Sequence, residues 1–401
     1  MFKATLRQIL ARGSIIGINQ LFILIAIPVL ASRLDLYVFG QIAIGFTLAQ
    51  LSWIISDWGV QHLSIEEWGK KKNLTEKNKF TSSVIVLNIL ISTLCLLIIY
   101  GLIFIKVIEF STFFFICLTP SILLGAVYPL WYFQVNRSPS EIIVPTFLSR
   151  IIFITLIYFF AKSNETAYWA FLAQGINFFF ITLFSFYRIS SKYNFRWTKV
   201  NFLDIKNLEK KSRPYLINAI TNNQVNTLWG FGLAIIGGPL AMAIFNLGDQ
   251  IYRAGGALTN IIAQSVRINF IGKSFINIRF TLLFFILFYV ILSICINLLT
   301  SNVIEYFFSD QYKSAIPIIQ IMIIAWGLHA IVKLLNYPIL GETHGADWVN
   351  QITYKILFLH ALAFLFWMIF LSGPKSLAVM FTVVIGCQLL IFLFHIFQKI
   401  R

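Results

Sequence analysis

A chain of 401 residues that is 59% hydrophobic and only 11% charged carries too little polar surface for a soluble domain. Its apolar runs reach about 20 residues, the length a helix needs to cross a bilayer, and lack the short alternating segments of a barrel. The formal charge of +16 fits the basic excess that a multispanning protein collects on its cytoplasmic side, so nucleic acid is not an expected partner.

Lys3, Arg7 and Arg12 precede the first apolar segment, residues 13–32, and place the N-terminus inside. A short turn at Arg33–Asp35 leads to a second span at 36–58. The next polar stretch carries Lys70, Lys71, Lys72, Lys77 and Lys79 and so returns to the cytoplasm. Further spans are predicted at 80–105, 110–134, 142–161 and 166–187, with short outer turns near Lys106 and Lys162.

Residues 188–213 then interrupt the apolar pattern. They hold eight Lys/Arg against Asp204 and Glu209 and read as a cytoplasmic loop. Six more spans are expected at 214–236, 240–266, 280–304, 315–340, 348–371 and 375–397, which returns the C-terminus to the cytoplasm. No cleavable leader is expected at the N-terminus. The four cysteines all fall in apolar runs and read as small hydrophobes rather than metal ligands or disulfide partners.

The fold class expected is an all-α membrane protein of about twelve transmembrane helices. They form two six-helix lobes, residues 1–187 and 214–401, joined by the connector 188–213. Asn19-Gln20 in the first span and Asn223-Gln224 in the seventh echo one another, which suggests lobes related by a pseudo-twofold axis along the membrane normal, with a cleft between them.

No enzymatic constellation is present: no phosphate-cradling Gly-Lys-Ser/Thr loop, no HExxH, and no Ser/His/Asp set at membrane depth. No catalytic or metal-ligating residues are assigned. His329 on an apolar helix reads as a packed residue bonding a neighbouring turn. The informative residues are ionisable groups inside apolar helices, which are expensive and usually face a cavity or a partner. Arg150, Arg253 and Lys333 are the candidate substrate-binding residues, because a cationic cleft suits an anionic substrate such as a diphosphate or an acidic sugar.

Asp249 lies at (i, i+4) from Arg253, so a self-neutralising pair competes with a substrate role for the arginine. Lys333 has no acid nearby in sequence and has the snorkelling alternative. Asp57, closing the second span, reads as a cap or a structural pair. Arg33 and Asp35 read as interface charges. Trp131-Tyr132-Phe133-Gln134 read as an interfacial belt, and Gly237-Gly238-Pro239 as a close-packing point or a hinge.

Four stretches resemble the polysaccharide-export flippases, the Wzx-type O-antigen transporters of the multidrug/oligosaccharidyl-lipid/polysaccharide exporter superfamily. One is residues 19–58, with the Phe39-Gly40 turn and Asp57-Trp58-Gly59. The others are PLWYFQ at 129–134, residues 247–262 around Asp249, and residues 306–345 with Tyr312–Ala315 and GETHG. The chain departs from that pattern at Val135-Asn136, where the family usually continues with glycine. It also lacks a proline over 265–270.

The resemblance implies a flippase of the bacterial inner membrane. It would move undecaprenyl-diphosphate-linked oligosaccharide between leaflets by alternating access, with no cofactor beyond a coupling ion, H+ or Na+. Expected partners are that lipid-linked sugar, membrane lipids, a polysaccharide polymerase and a chain-length regulator. The alternatives are a related exporter of drugs or of the peptidoglycan lipid precursor, and a membrane-embedded glycan-processing enzyme. The enzyme reading is disfavoured by the short outer loops.

Overall fold

A computed structural model describes residues 2–223, 225–270, 275–308, 310–336 and 346–400, with side chains described for 13–216, 226–263, 283–308, 310–336 and 351–395. The expectations for Gln224, Ser309, the end of the tenth span at 337–340 and GETHG at 341–345 lie outside the described residues. Among the described residues there is no strand, and fifteen α-helices carry the fold.

The first eight are α1 (Phe2–Ala31), α2 (Leu36–Asp57), α3 (Val60–Trp68), α4 (Leu74–Phe104), α5 (Thr112–Val127), α6 (Leu130–Val135), α7 (Ile143–Phe160) and α8 (Trp169–Tyr193). Then come α9 (Phe202–Asn223), α10 (Val225–Ile236), α11 (Gly238–Phe270), α12 (Phe275–Phe307), α13 (Ile316–Leu335), α14 (Ala346–Phe370) and α15 (Pro374–Ile400).

Ten described segments are long and apolar enough to cross a membrane. The seventh and eighth expected spans are not among them. The apolar stretch of α10, Asn226–Ile236, is short. Helix α11 is long enough but interrupts its apolar surface with Asn246, Asp249, Gln250, Arg253 and Asn260.

The contacts gather the chain into two compact units, one of residues 1–40 with 232–401 and one of residues 41–231. This division departs from the expected boundaries at 187 and 214. The first helix joins the C-terminal helices, and the connector joins the N-terminal ones. The reason is local packing, seen in each unit separately.

In the first unit, α1 packs on α11, and α13 packs on α11, α12 and α15. Helix α13 is the core element: Ile319, Met322, Ile323, Ala325 and Leu334 are fully buried. Gly40, near the start of α2, lies so close to the first turn of α11 that any Cβ there would overlap the Pro239 carbonyl. The Gly237-Gly238-Pro239 segment is thus a close-packing point. Phe39 meets Tyr312 edge-on at 5.6 Å, and Gln311 Nε2 donates to the Leu34 carbonyl at 3.3 Å.

In the second unit, α8 packs on α5 and α7, α5 on α4, and α9 on α3 and α4. Polar side chains fasten these contacts. Asn88 Nδ2 donates to the Ala126 carbonyl at 2.9 Å, and Trp53 Nε1 to that of Ser121 at 3.1 Å.

The connector is not the loop expected. Helix α8 runs on to Tyr193, Asn194 stops it in the left-handed conformation (φ 54°), and α9 begins at Phe202. Charge excludes this stretch from hydrocarbon but not from a helix. Asp204 accepts from the Asn201 N–H at 3.0 Å and so caps the first turn.

PLWYFQ is not an interfacial belt either. Trp131, Tyr132 and Phe133 are buried. Trp68 stands edge-on to Trp131 and Tyr132, with centroids 5.9 and 5.0 Å apart. Pro129 ends the apolar run of α5 and turns α6 inward, onto α3.

Candidate functional site

The polar residues of α11 fall at positions 246, 249, 250, 253 and 260, spacings of three, four and seven that put them on one face. Polar side chains set in apolar packing need partners, and these have them. Arg253 Nε donates to Asp249 Oδ2 at 2.6 Å, with both side chains under a tenth exposed. Gln250 Nε2 donates to Asn246 Oδ1 at 3.2 Å. The intrahelical pair takes the form expected of a self-neutralising couple, and its depth makes it part of a polar stripe within apolar packing.

Helix α13 adds two groups to the stripe. Lys333 Nζ donates to Asn260 Oδ1 at 2.9 Å, so its ammonium is turned onto α11 rather than snorkelling. His329, one turn before it, is hydrogen-bonded through Nδ1 to the Tyr252 hydroxyl, and the two rings stack with centroids 5.6 Å apart. Its partner is a phenol on a neighbouring helix, not the backbone of a neighbouring turn. Arg253 and Lys333, two of the candidate binding residues, therefore both meet α11. Their attachment points are seven residues apart, about 10 Å along the axis.

Arg150 belongs to the other unit. It is 6% exposed on α7, donates through Nη1 to Gln174 Oε1 of α8 at 3.3 Å, and lies 5.7 Å from the centre of the Phe153 ring. Amide and aromatic face both favour a guanidinium, which explains how it is held at this depth.

The remaining acids act on the backbone. Asp57 Oδ1 accepts from the Gln61 N–H at 3.3 Å across the Trp58-Gly59 turn, where both residues have positive φ, 47° and 76°. Asp35 Oδ1 accepts from the Val38 N–H at 2.7 Å and caps α2, with Arg33 in the same turn. Among the described residues, no group of three His, Cys, Asp or Glu is placed to hold a metal ion.

Sequence reasoning missed Asn260 and Gln174, the neutral partners of Lys333 and Arg150, and Tyr252, the partner of His329. The seven-residue step from Arg253 to Asn260 was the available signal.

A helical chain with these spans and a polar stripe on one of its longest helices is a multi-pass membrane protein, and its fold has solved counterparts. It is similar to the lipid II flippase MurJ in an inward closed conformation, with a TM-score of 0.71, 14% identity, and 98% of this chain and 87% of that one covered. It is equally similar to an inward-facing multidrug resistance MATE family transporter of the MOP superfamily, with a TM-score of 0.71 at 11% identity, covering 96% and 98%. These likenesses define the fold.

The family follows from sequence: residues 5–275 match the model of the polysaccharide biosynthesis proteins, and the chain belongs to that family. Over 255 residues it is 22% identical to a protein of Shigella dysenteriae described as "Putative O-antigen transporter"; the match spans 62% of this chain and 63% of that relative.

Proposed function

We propose that this protein is a flippase that moves an undecaprenyl-diphosphate-linked oligosaccharide across the bacterial inner membrane by alternating access. The observation that supports the reading is the polar stripe on α11, where Asp249–Arg253 and Lys333–Asn260 hold two cations within apolar packing. Such groups mark substrate paths in membrane proteins, and guanidinium suits a diphosphate. Family membership supplies the glycan context. Arg150 is the third substrate contact in this reading. Movement is driven by a coupling ion, H+ or Na+, and the chain works beside a polymerase and a chain-length regulator, with no catalytic chemistry of its own.

A second reading, export of the peptidoglycan lipid precursor, is favoured by the fold match to a lipid II flippase. Complementation separates the two. A strain lacking its own O-antigen flippase should regain surface glycan on expression of this chain, whereas a strain depleted of its lipid II flippase should not regain growth. Arg150→Gln with Arg253→Gln and Asp249→Asn, the last removing the carboxylate that would otherwise be left alone, should abolish the glycan at normal membrane levels of protein. Full export by that stable triple variant would end the cationic-site reading.

A further inference from the structure

The connector carries an exposed apolar patch. Trp197, Phe202 and Leu203 are 59%, 76% and 68% exposed, among the exposed cations Arg196, Lys199, Lys206 and Lys210. This segment is fastened rather than free. The Thr198 N–H donates to Ser82 Oγ at 3.1 Å, Lys79 Nζ meets Asp204 Oδ1 at 2.9 Å, and Leu208 and Ser212 are buried on the opposite side of α9. Ser82 and Lys79 belong to the first turns of the membrane-spanning α4. With a rise of 1.5 Å per residue, the 31 residues of α4 run about 46 Å, longer than the hydrocarbon core of about 30 Å, so its first turns, where these anchors sit, reach the headgroup layer. The connector also leaves directly from the end of the spanning helix α8.

Further basic groups gather at the same end of this unit. Glu67 meets Lys70, Lys71 and Lys211, and Glu141 meets Arg188 and Lys192. An apolar patch held at headgroup depth inside a field of lysines fits one kind of surface, an anionic phospholipid leaflet. We propose that residues 196–210 form an interfacial clamp. In it Trp197, Phe202 and Leu203 insert between headgroups, and Arg196, Lys199, Lys206 and Lys210 engage lipid phosphates. The clamp would fix the end of α9 to the leaflet on the connector's side. It does not depend on what the protein transports.

The test uses the full chain with Cys95, Cys117, Cys295 and Cys387 replaced by serine, and Leu203→Cys carrying an environment-sensitive fluorophore. Reconstitution is in nanodiscs of phosphatidylcholine, alone or with phosphatidylglycerol. The expected result is a several-fold gain in fluorescence with phosphatidylglycerol, reversed by high salt and by Lys199→Gln, Lys206→Gln and Lys210→Gln together. The lipid contrast stands on the unaltered lysines, so it survives if that triple variant is unstable. A probe equally wet in both discs would overturn the clamp. A probe equally dry in both, insensitive to salt, would also overturn it and point to cover by a second copy of the chain.

Discussion

Asp249 and Arg253 share a buried contact of 2.6 Å, so removing either leaves an uncompensated charge in apolar surroundings. Breaking such a pair costs on the order of 3–5 kcal/mol. Asp249→Asn alone should therefore lower the amount of folded protein in the membrane. Asp249→Asn with Arg253→Gln should restore it, because no lone charge remains. If Arg253 also holds the substrate anion, this repaired protein still fails to export. Protein level and surface glycan measured on the same cells separate the two roles.

Gly59 offers a sharper test of backbone packing. Its φ is 76°, and a Cβ there would lie 2.6 Å from the Leu216 nitrogen and 2.7 Å from the Ser212 carbonyl oxygen. Left-handed strain adds about 1–2 kcal/mol for a residue with a side chain, and the neighbours are backbone atoms that cannot step aside. Gly59→Ala should lower the thermal midpoint of the purified protein by several degrees, whereas Gly69→Ala, which meets open space, should not.

At the scale of elements, the connector shows what a sequence reveals and what it hides. Its excess of Lys and Arg was readable as charge and assigned a side. Its helix was not, because polarity says where a segment cannot go and nothing about its backbone. The cap at Asn201 and Asp204 was the overlooked sign. Helix α11 shows the reverse case. Asp249, Arg253 and Lys333 stood out as charges, yet Asn260, which receives Lys333, and Tyr252, which receives His329, blend into an apolar background. The aromatic run 131–133 was misassigned because amphipathic rings suit both a membrane interface and a core.

The connector also yields a pH prediction. The Lys79 ammonium, with the Asn201 N–H, holds the Asp204 carboxyl below its ordinary range. A depressed folded value means that the attachment is complete above the ordinary aspartate value, about 3.9, and is lost as pH falls through the lower folded value. Protection of the amides of residues 198–205, taken relative to their intrinsic exchange rates at each pH, should fall on acidification, and Lys79→Gln should weaken that dependence. Nearby, the Tyr215 hydroxyl donates to Glu66 at 2.7 Å, and this bond keeps the phenol protonated, with its pKa pushed up to about 12.

For the whole molecule, the positive-inside bias predicts that the cation-rich end faces the cytoplasm. The segments 66–79, 137–143 and 188–213 are tied together at one end of the second unit through Lys79–Asp204, Tyr215–Glu66 and Arg188–Glu141. Ser191 and Ser163 lie at opposite ends of α8. In the cysteine-free background and intact cells, an impermeant thiol reagent should label Ser163→Cys and spare Ser191→Cys. The opposite pattern would invert the topology.

Two contacts in the fold join stretches that the sequence keeps far apart. Phe39 meets Tyr312, and Gln61 Nε2 donates to Gln134 Oε1 at 3.0 Å. Each pair shares a confined volume or a single hydrogen bond, so neither partner can drift alone. A lineage that enlarges position 39 must find room at 312, and one that loses the amide at 61 strands its counterpart at 134. The short sequence signatures around these positions are then halves of two joints, each half shaped by the other.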